Sequence, residues 1–423
     1  MRGKEDWEVR GATILLGLFS LIFLIGPFGL GEKVSRVTGV VNTEVRPTFS
    51  STLEISKSAL NRSNLFGSGP NTFSQDWLLY KPVGVNATPF WAVAFPFGVG
   101  FIPTQIAATG IVGTLLWLSF LVLVLALALK TLTRVPESRA TRFALISVLT
   151  AAVYLWAASF LYAPSATLLI LAFAVTGLFI GLSAEIGIIS SRLFEFKDPA
   201  TRLMTGVVCA AAFAVMVTLG WSGAERGLAG FHFKRAVDLS AMPAPSLDSI
   251  ESEVERALGF SKQDTYYLAL SRINFAKAQA AGNATSTPES RAAFQESIAK
   301  SIQAARSAAA ANPASYLNWT ALGNLYAALA APPLAVEGAY ESARLAYSEA
   351  YKRSPNNPEL PLLLAYLEIS NGNLKDARSY ILSALALKED YGEAEELLKK
   401  LTEFEEQQAE TKTQGEEVPE EAQ

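Results

Sequence analysis

One cysteine and one histidine occur in 423 residues. A lone Cys209 excludes a disulfide framework and a cysteine-rich zinc site, and a lone His232 excludes any metal centre that needs a histidine pair. Charge is scarce as well. Only 17% of residues are charged and the formal net charge is −4, so there is no basic surface for nucleic acid. No metal or other cofactor is expected. The scarcity of charge is concentrated: Gly11 to Gly31, Pro82 to Leu129 and Phe143 to Ala184 carry no charged side chain at all. A membrane-spanning helix needs about 20 consecutive apolar residues, so these runs read as spans and not as ordinary core.

The runs divide at their punctuation. Pro82, Pro89, Pro96 and Pro103 interrupt helix propagation. Phe90, Trp91, Phe95, Phe97 and Phe101 are therefore expected in short segments at a lipid interface. Ala163-Pro164-Ser165 splits the last run in two. Five spans are expected, at about 11–31, 105–129, 143–162, 166–190 and 203–222, forming a membrane domain over 1–224 with a loop at 32–104. Lys130, Arg134, Arg139 and Arg142 form one basic connection, and Arg192, Lys197 and Arg202 another. An excess of lysine and arginine in short loops marks the cytoplasmic side. With the N-terminus inside, both connections fall inside, and the loop and everything after 224 fall outside. Glu185, near the end of the fourth span, reads as a residue reaching to the interface.

The remainder is soluble in character. A linker and entry helix are expected over 225–262, helical repeats over 263–408, and a disordered acidic tail over 409–423. Trp319-x2-Leu322-Gly323-x2-Tyr326 matches the opening helix of a tetratricopeptide repeat. Ala343, Tyr347 and Ala350 then supply the second helix, where small residues admit a large neighbour. Ala331-Pro332-Pro333 reads as an extended turn between the two. Leu364, Ala365, Gly372, Ala377, Ile381 and Ala384 give the next repeat without an insertion. Trp319 and Tyr326 are expected as core plugs. The fold class is thus all-α: a polytopic membrane helix bundle followed by an extracytoplasmic α-solenoid. Such stacks bind other proteins, so an extracytoplasmic protein partner is expected.

One further stretch carries a resemblance. Arg46, then Phe66-Gly67-Ser68-Gly69-Pro70-Asn71-Thr72-Phe73, then Gly110-x2-Gly113 make the chain resemble the bacterial O-antigen ligase and O-antigen polymerase superfamily over roughly residues 11–190. The resemblance implies a protein of the bacterial inner membrane that handles glycans carried on undecaprenyl diphosphate, without metal. It implies Arg46 as a phosphate-binding residue, with Arg62 and Lys81 as further candidates, because a guanidinium pairs with phosphate through two parallel hydrogen bonds. It also implies that Gly67, Gly69, Gly110 and Gly113 permit close backbone approach. Two departures stand against it. The family's catalytic histidine position, eleven residues before Gly110, is Val99 here, and a general base must accept a proton. Asp76 and Glu54 are the nearest substitutes. The chain also has half the family's usual number of spans, which implies a second membrane chain or a truncated product. Two functions follow for comparison: a glycan ligase or polymerase-like protein, or a non-catalytic membrane scaffold that presents its repeats.

Overall fold

A computed structural model describes residues 45–134, 136–163, 165–189, 198–283, 287–332 and 334–416. The expected first span at 11–31, most of the second basic connection (Arg192 and Lys197) and the end of the acidic tail lie outside the described residues. Those described fall into two compact units, one within Met1–Trp77 and Ala94–Ser191, the other within Leu78–Val93 and Arg192–Gln423. Every regular element among them is helical.

The first unit contains α1 (Phe49–Arg62), the start of α2 (Phe73–Tyr80), α3 (Phe101–Thr133), α4 (Arg139–Leu161) and α5 (Ala166–Glu185). Thr48 opens α1, its hydroxyl accepting from the Ser51 N–H at 3.1 Å, which satisfies a donor that the first helical turn leaves free. α3 begins at Phe101, earlier than the expected 105, and is not continuous. Gly110 adopts φ 66° and ψ −164°, which breaks the helix into two rods. α4 and α5 form the hairpin expected around Ala163-Pro164-Ser165. Trp156 joins them, donating from Nε1 to Thr176 Oγ1 at 2.9 Å, while Trp117, Phe120 and Phe173 surround its ring.

The second unit begins with α6 (Pro199–Ser240), a single helix of 42 residues. At 1.5 Å per residue it is about 63 Å long, roughly twice a bilayer's hydrocarbon thickness. Its two halves differ. Leu203, Val208, Phe213 and Trp221 are exposed, whereas Ala229 and Ala236 pack on Ile250, Val254 and Ala257 of α7 (Leu247–Phe260). The region expected as linker is therefore the far half of α6, a turn through Met242-Pro243-Ala244-Pro245, and α7. His232 Nδ1 lies 2.8 Å from Glu253 Oε2, with the imidazole stacked on Phe260. That hydrogen bond from His232, helped by the charges of Arg235 and Arg256 flanking the same carboxylate, holds Glu253 below the usual carboxylate range.

Helical hairpins follow: α8 (Asp264–Asn283) with α9 (Pro288–Ala311), α10 (Tyr316–Ala330) with α11 (Ala339–Arg353), and α12 (Glu359–Ser370) with α13 (Leu374–Leu387). α14 (Gly392–Glu416) closes the stack. The expected disordered tail from 409 falls on this helix as far as Glu416. Across the α10–α11 pair the helices meet at Gly323, where a Cβ would stand 2.5 Å from the Tyr347 ring. Ala343, Ala350, Ala377 and Ala384 are fully buried for the same reason: each is the small side of a close helix–helix contact. The eight residues between Ala330 and Ala339 form the extended turn, and Gly338 begins α11 from a left-handed conformation.

Four described helices, α3 to α6, are long and apolar enough to cross a membrane by length and composition.

Candidate functional site

The glycine stretch after α1 has a definite structural task. The break at Gly110 would leave the carbonyls of Ala107 and Ala108 and the N–H groups of Ile111 and Val112 without their helical partners. The loop supplies all four. Ser68 N–H donates to Ala107 O and Gly69 N–H to Ala108 O, both at 3.0 Å, while Ile111 N–H donates to Asn64 O at 2.9 Å and Val112 N–H to Leu65 O at 3.1 Å. A helix break inside packed protein is tolerated only when its freed groups are paired in this way. The backbones must come very close to do so. A Cβ on Gly67 would lie 2.6 Å from Gly110 N, and one on Gly110 would lie 2.5 Å from Leu65 O. Both residues also hold positive φ. Gly69 shares the positive φ but faces open space beyond Thr72. Gly113 meets only its own helix's Thr109 side chain.

Asp76 sits beneath this loop. It is 4% exposed and accepts a hydrogen bond from Ser68 Oγ at 2.5 Å, and Ser68 Oγ lies 2.7 Å from Thr72 Oγ1. Burial raises the Asp76 pKa, opposed by the Ser68 hydrogen bond and by the charge of Arg62. It is the only one of the two substitute bases with such an environment, since Glu54 is exposed on α1.

Arg46 is half-buried at the C-terminal end of α4. Its Nη1 donates to Leu161 O and, at 3.3 Å, to Val99 O, and the guanidinium lies 4.8 Å over the Tyr162 ring. The last carbonyls of a helix lack intrahelical donors and carry partial negative charge, so an arginine there is stabilising. Val99 completes the clasp from its other side, its N–H donating to Thr52 Oγ1 at 2.8 Å. Gly100 lies against the Phe160 carbonyl, leaving no room for a Cβ. Thus Arg46 and the position that holds histidine in the resembled family are brought together, but through backbone groups. Arg62 is exposed at the end of α1.

Lys81, the third cation, belongs to the other unit and is 4% exposed. Its Nζ donates to Trp91 O at 2.7 Å, and burial lowers its pKa to about 8. That contact closes a strap, residues 81–91, which lies on the turns between repeats. Asn86, 1% exposed, donates from Nδ2 to Asn356 O at 3.0 Å and to Leu387 O at 2.9 Å. Asn356 Nδ2 returns a bond to Lys81 O at 2.8 Å, and Lys388 Nζ one to Asn86 O at 3.2 Å. Trp91 meets Tyr391 at 5.6 Å between ring centroids, and Leu78 packs on the cluster of Tyr316, Ala350 and Leu360. Trp91 therefore packs on protein, and Phe95 is likewise buried edge-on against Trp77 in the first unit. Neither occupies the exposed interfacial position expected of it. The strap was missed in the sequence because its partners lie some 270 residues away.

In the repeats, Leu322, Tyr326 and Tyr347 are buried. Tyr326 also accepts from Arg306 Nε at 2.9 Å. Trp319 differs from the core plug expected: it is half-buried, its Nε1 donating to Pro313 O at 2.9 Å with Arg353 stacked 4.7 Å over the ring. No group of three or more metal-ligating side chains occurs among the described residues.

Paired helices with buried small residues at their contacts define a helical-repeat domain, a class that generally mediates protein–protein interaction. Residues 334–401, from just before α11 into α14, match the tetratricopeptide repeat family. A solved structure similar to the chain is a thermophilic tetratricopeptide-repeat protein of Thermus thermophilus. The identity is 14%, over 61% of this chain and 98% of that one, with a TM-score of 0.31. Among curated proteins none matches. The resemblance to glycan ligases has no counterpart in these comparisons and rests on its residues alone.

Proposed function

We propose that the protein is a multi-pass membrane scaffold that presents its tetratricopeptide repeats to protein partners outside the cytoplasm, and that it transfers no glycan by itself. One observation carries the reading. The arginine that the resemblance assigns to phosphate holds the carbonyls of Leu161 and Val99, and the position assigned to the base is a valine whose backbone joins the same clasp. Both act as structural parts. The repeats, by contrast, form a complete stack whose task is binding. The test is recovery of crosslinked proteins from membranes containing the full chain or a chain lacking 263–408. Partners lost with the repeats are expected; the same partners recovered without them would overturn the reading.

A second reading is favoured by the junction of Gly67 with Gly110. Two of the glycines quoted for the resemblance, Gly67 and Gly110, meet at one point where the loop mends one helix break. On this reading the protein still binds an undecaprenyl diphosphate carrier in the inner membrane, together with a second membrane chain that supplies further helices. Binding of a carrier analogue to nanodiscs containing the full chain tests it. Saturable binding weakened by Arg62→Ala is the expected result, and its absence removes the reading.

A further inference from the structure

The strap of residues 78–93 contacts the repeats in a way that sets it apart from the helices it touches. Apart from Leu78 at its start, which packs on Tyr316, Ala350 and Leu360, it enters none of the interfaces between paired helices. The cluster of Leu322, Leu325, Tyr326, Tyr347, Leu364 and Leu367 closes without it. What it reads is the backbone of two consecutive inter-repeat turns, Ser354-Pro355-Asn356 and Leu387-Lys388, one repeat period apart. The Asn86 amide forks between one carbonyl from each turn, and one side chain from each, Asn356 and Lys388, answers on the strap's own carbonyls. A single ring pair, Trp91 on Tyr391, fixes the far end.

The strap also carries its own shape. Lys81 Nζ ties to Trp91 O, Val85 N–H to Pro82 O at 3.0 Å, and Thr88 Oγ1 to Val85 O at 2.7 Å, around the 3-10 turn Val83–Ala87. A segment ordered by its own hydrogen bonds loses less conformational freedom on docking, which is what makes a short peptide a competent ligand. The fit is incomplete, however. Asn86 Oδ1 is buried with no hydrogen-bond partner among the described residues, and an unmet buried acceptor weakens the hold.

We propose that the edge formed by these two inter-repeat turns is a peptide-binding site, and that its resident ligand is the chain's own strap, docked in cis and separable from the repeats. Recognition is by an asparagine amide bridging two repeats and by a tryptophan five residues later. The site lies at the helix ends, so the strap leaves the helix faces of the stack to other partners. The proposal stands whether or not an external partner exists.

The experiment uses the full chain in detergent and a fluorescent synthetic peptide of residues 80–93. In the variant N86A/W91A the cis strap loses both recognition elements, so the added peptide should bind at least tenfold more tightly than to the wild-type chain, where the site is filled. The same peptide with alanine in place of Asn86 should bind neither. Equal binding to both chains would overturn the proposal. So would no binding to a variant that keeps its helicity. If the double variant loses helicity, W91A alone is used: restoration of its helical signal by the peptide supports a separable ligand, and failure to restore it shows the strap to be an integral part of the fold.

Discussion

In α3 and α6 the side chains of Leu116, Leu123, Leu203 and Phe213 stand exposed, whereas in the repeats Leu322, Leu364 and Ile381 are buried. The residue types are alike and the environments opposite. In water each exposed leucine would forgo about 2 kcal/mol of burial, and α3 and α6 are long and apolar enough to cross a membrane by length and composition. Glycine shows the same contrast. Gly110 breaks a long helix and needs a left-handed backbone, while Gly323 keeps its helix regular and merely makes room for Tyr347. Long apolar helices bury little of themselves, so the loop that mends α3 matters more to its unit than any one repeat contact does to the stack.

The sharpest way to break that comparison is Gly110→Ala. It adds an atom against Leu65 O and forces an alanine to positive φ. Overpacking costs about 1–3 kcal/mol and the left-handed backbone about 1–2. Detergent-purified protein should therefore melt far below wild type, or fail to elute as a single species. Gly323→Val tests the other side. Its cost should be about 1–3 kcal/mol, because the Tyr347 ring can shift where backbone cannot. A larger loss at Gly323 than at Gly110 would reverse the ranking of the two regions.

Trp319→Ala should cost about 2 kcal/mol, less than the 3–5 typical of a fully buried tryptophan. Trp319 is only partly buried: it packs on the repeat core and carries Arg353 4.7 Å over its ring. Chemical unfolding followed by far-UV circular dichroism measures it.

The smallest effect concerns Lys81. Its pKa in the folded protein is lowered to about 8 from an ordinary 10.5, because burial disfavours the ammonium. Between those values the unfolded chain binds more protons than the folded one, so stability should rise as pH increases from about 8 to 10. Lys81→Met should flatten that rise, as read from melting temperatures in buffers across the window.

Much of this was legible in the sequence, for reasons that are local. The alanine–tyrosine–alanine spacing of α11 and the charge-free runs each report on a few neighbouring residues; Ala343, Tyr347 and Ala350 are buried in α11, while α3 starts at Phe101 and not at 105, and α6 runs on to Ser240. The hairpin between α4 and α5 was readable from Ala163-Pro164-Ser165 alone. The clasp of Arg46 on Leu161 and the strap of Asn86 on Leu387 were not. They join residues 115 and 301 apart in sequence, and nothing periodic marks either end. The break at Gly110 was hidden by the hydropathy around it, because an apolar run looks the same whether or not one residue leaves the helix. For Trp319 the motif does not contain Arg353, which lies over the ring of a tryptophan that is only partly buried.

On the proposed function, the charge-poor half is a framework whose arginine and valine hold backbone together, and the repeats do the binding. The most direct test is glycan transfer by the purified full chain in nanodiscs, supplied with an undecaprenyl diphosphate-linked oligosaccharide and an acceptor. The account predicts transfer at background level, with Arg46→Lys lowering the melting temperature and leaving that background unchanged. Transfer well above background that disappears in Arg46→Lys, with the melting temperature intact, would contradict it.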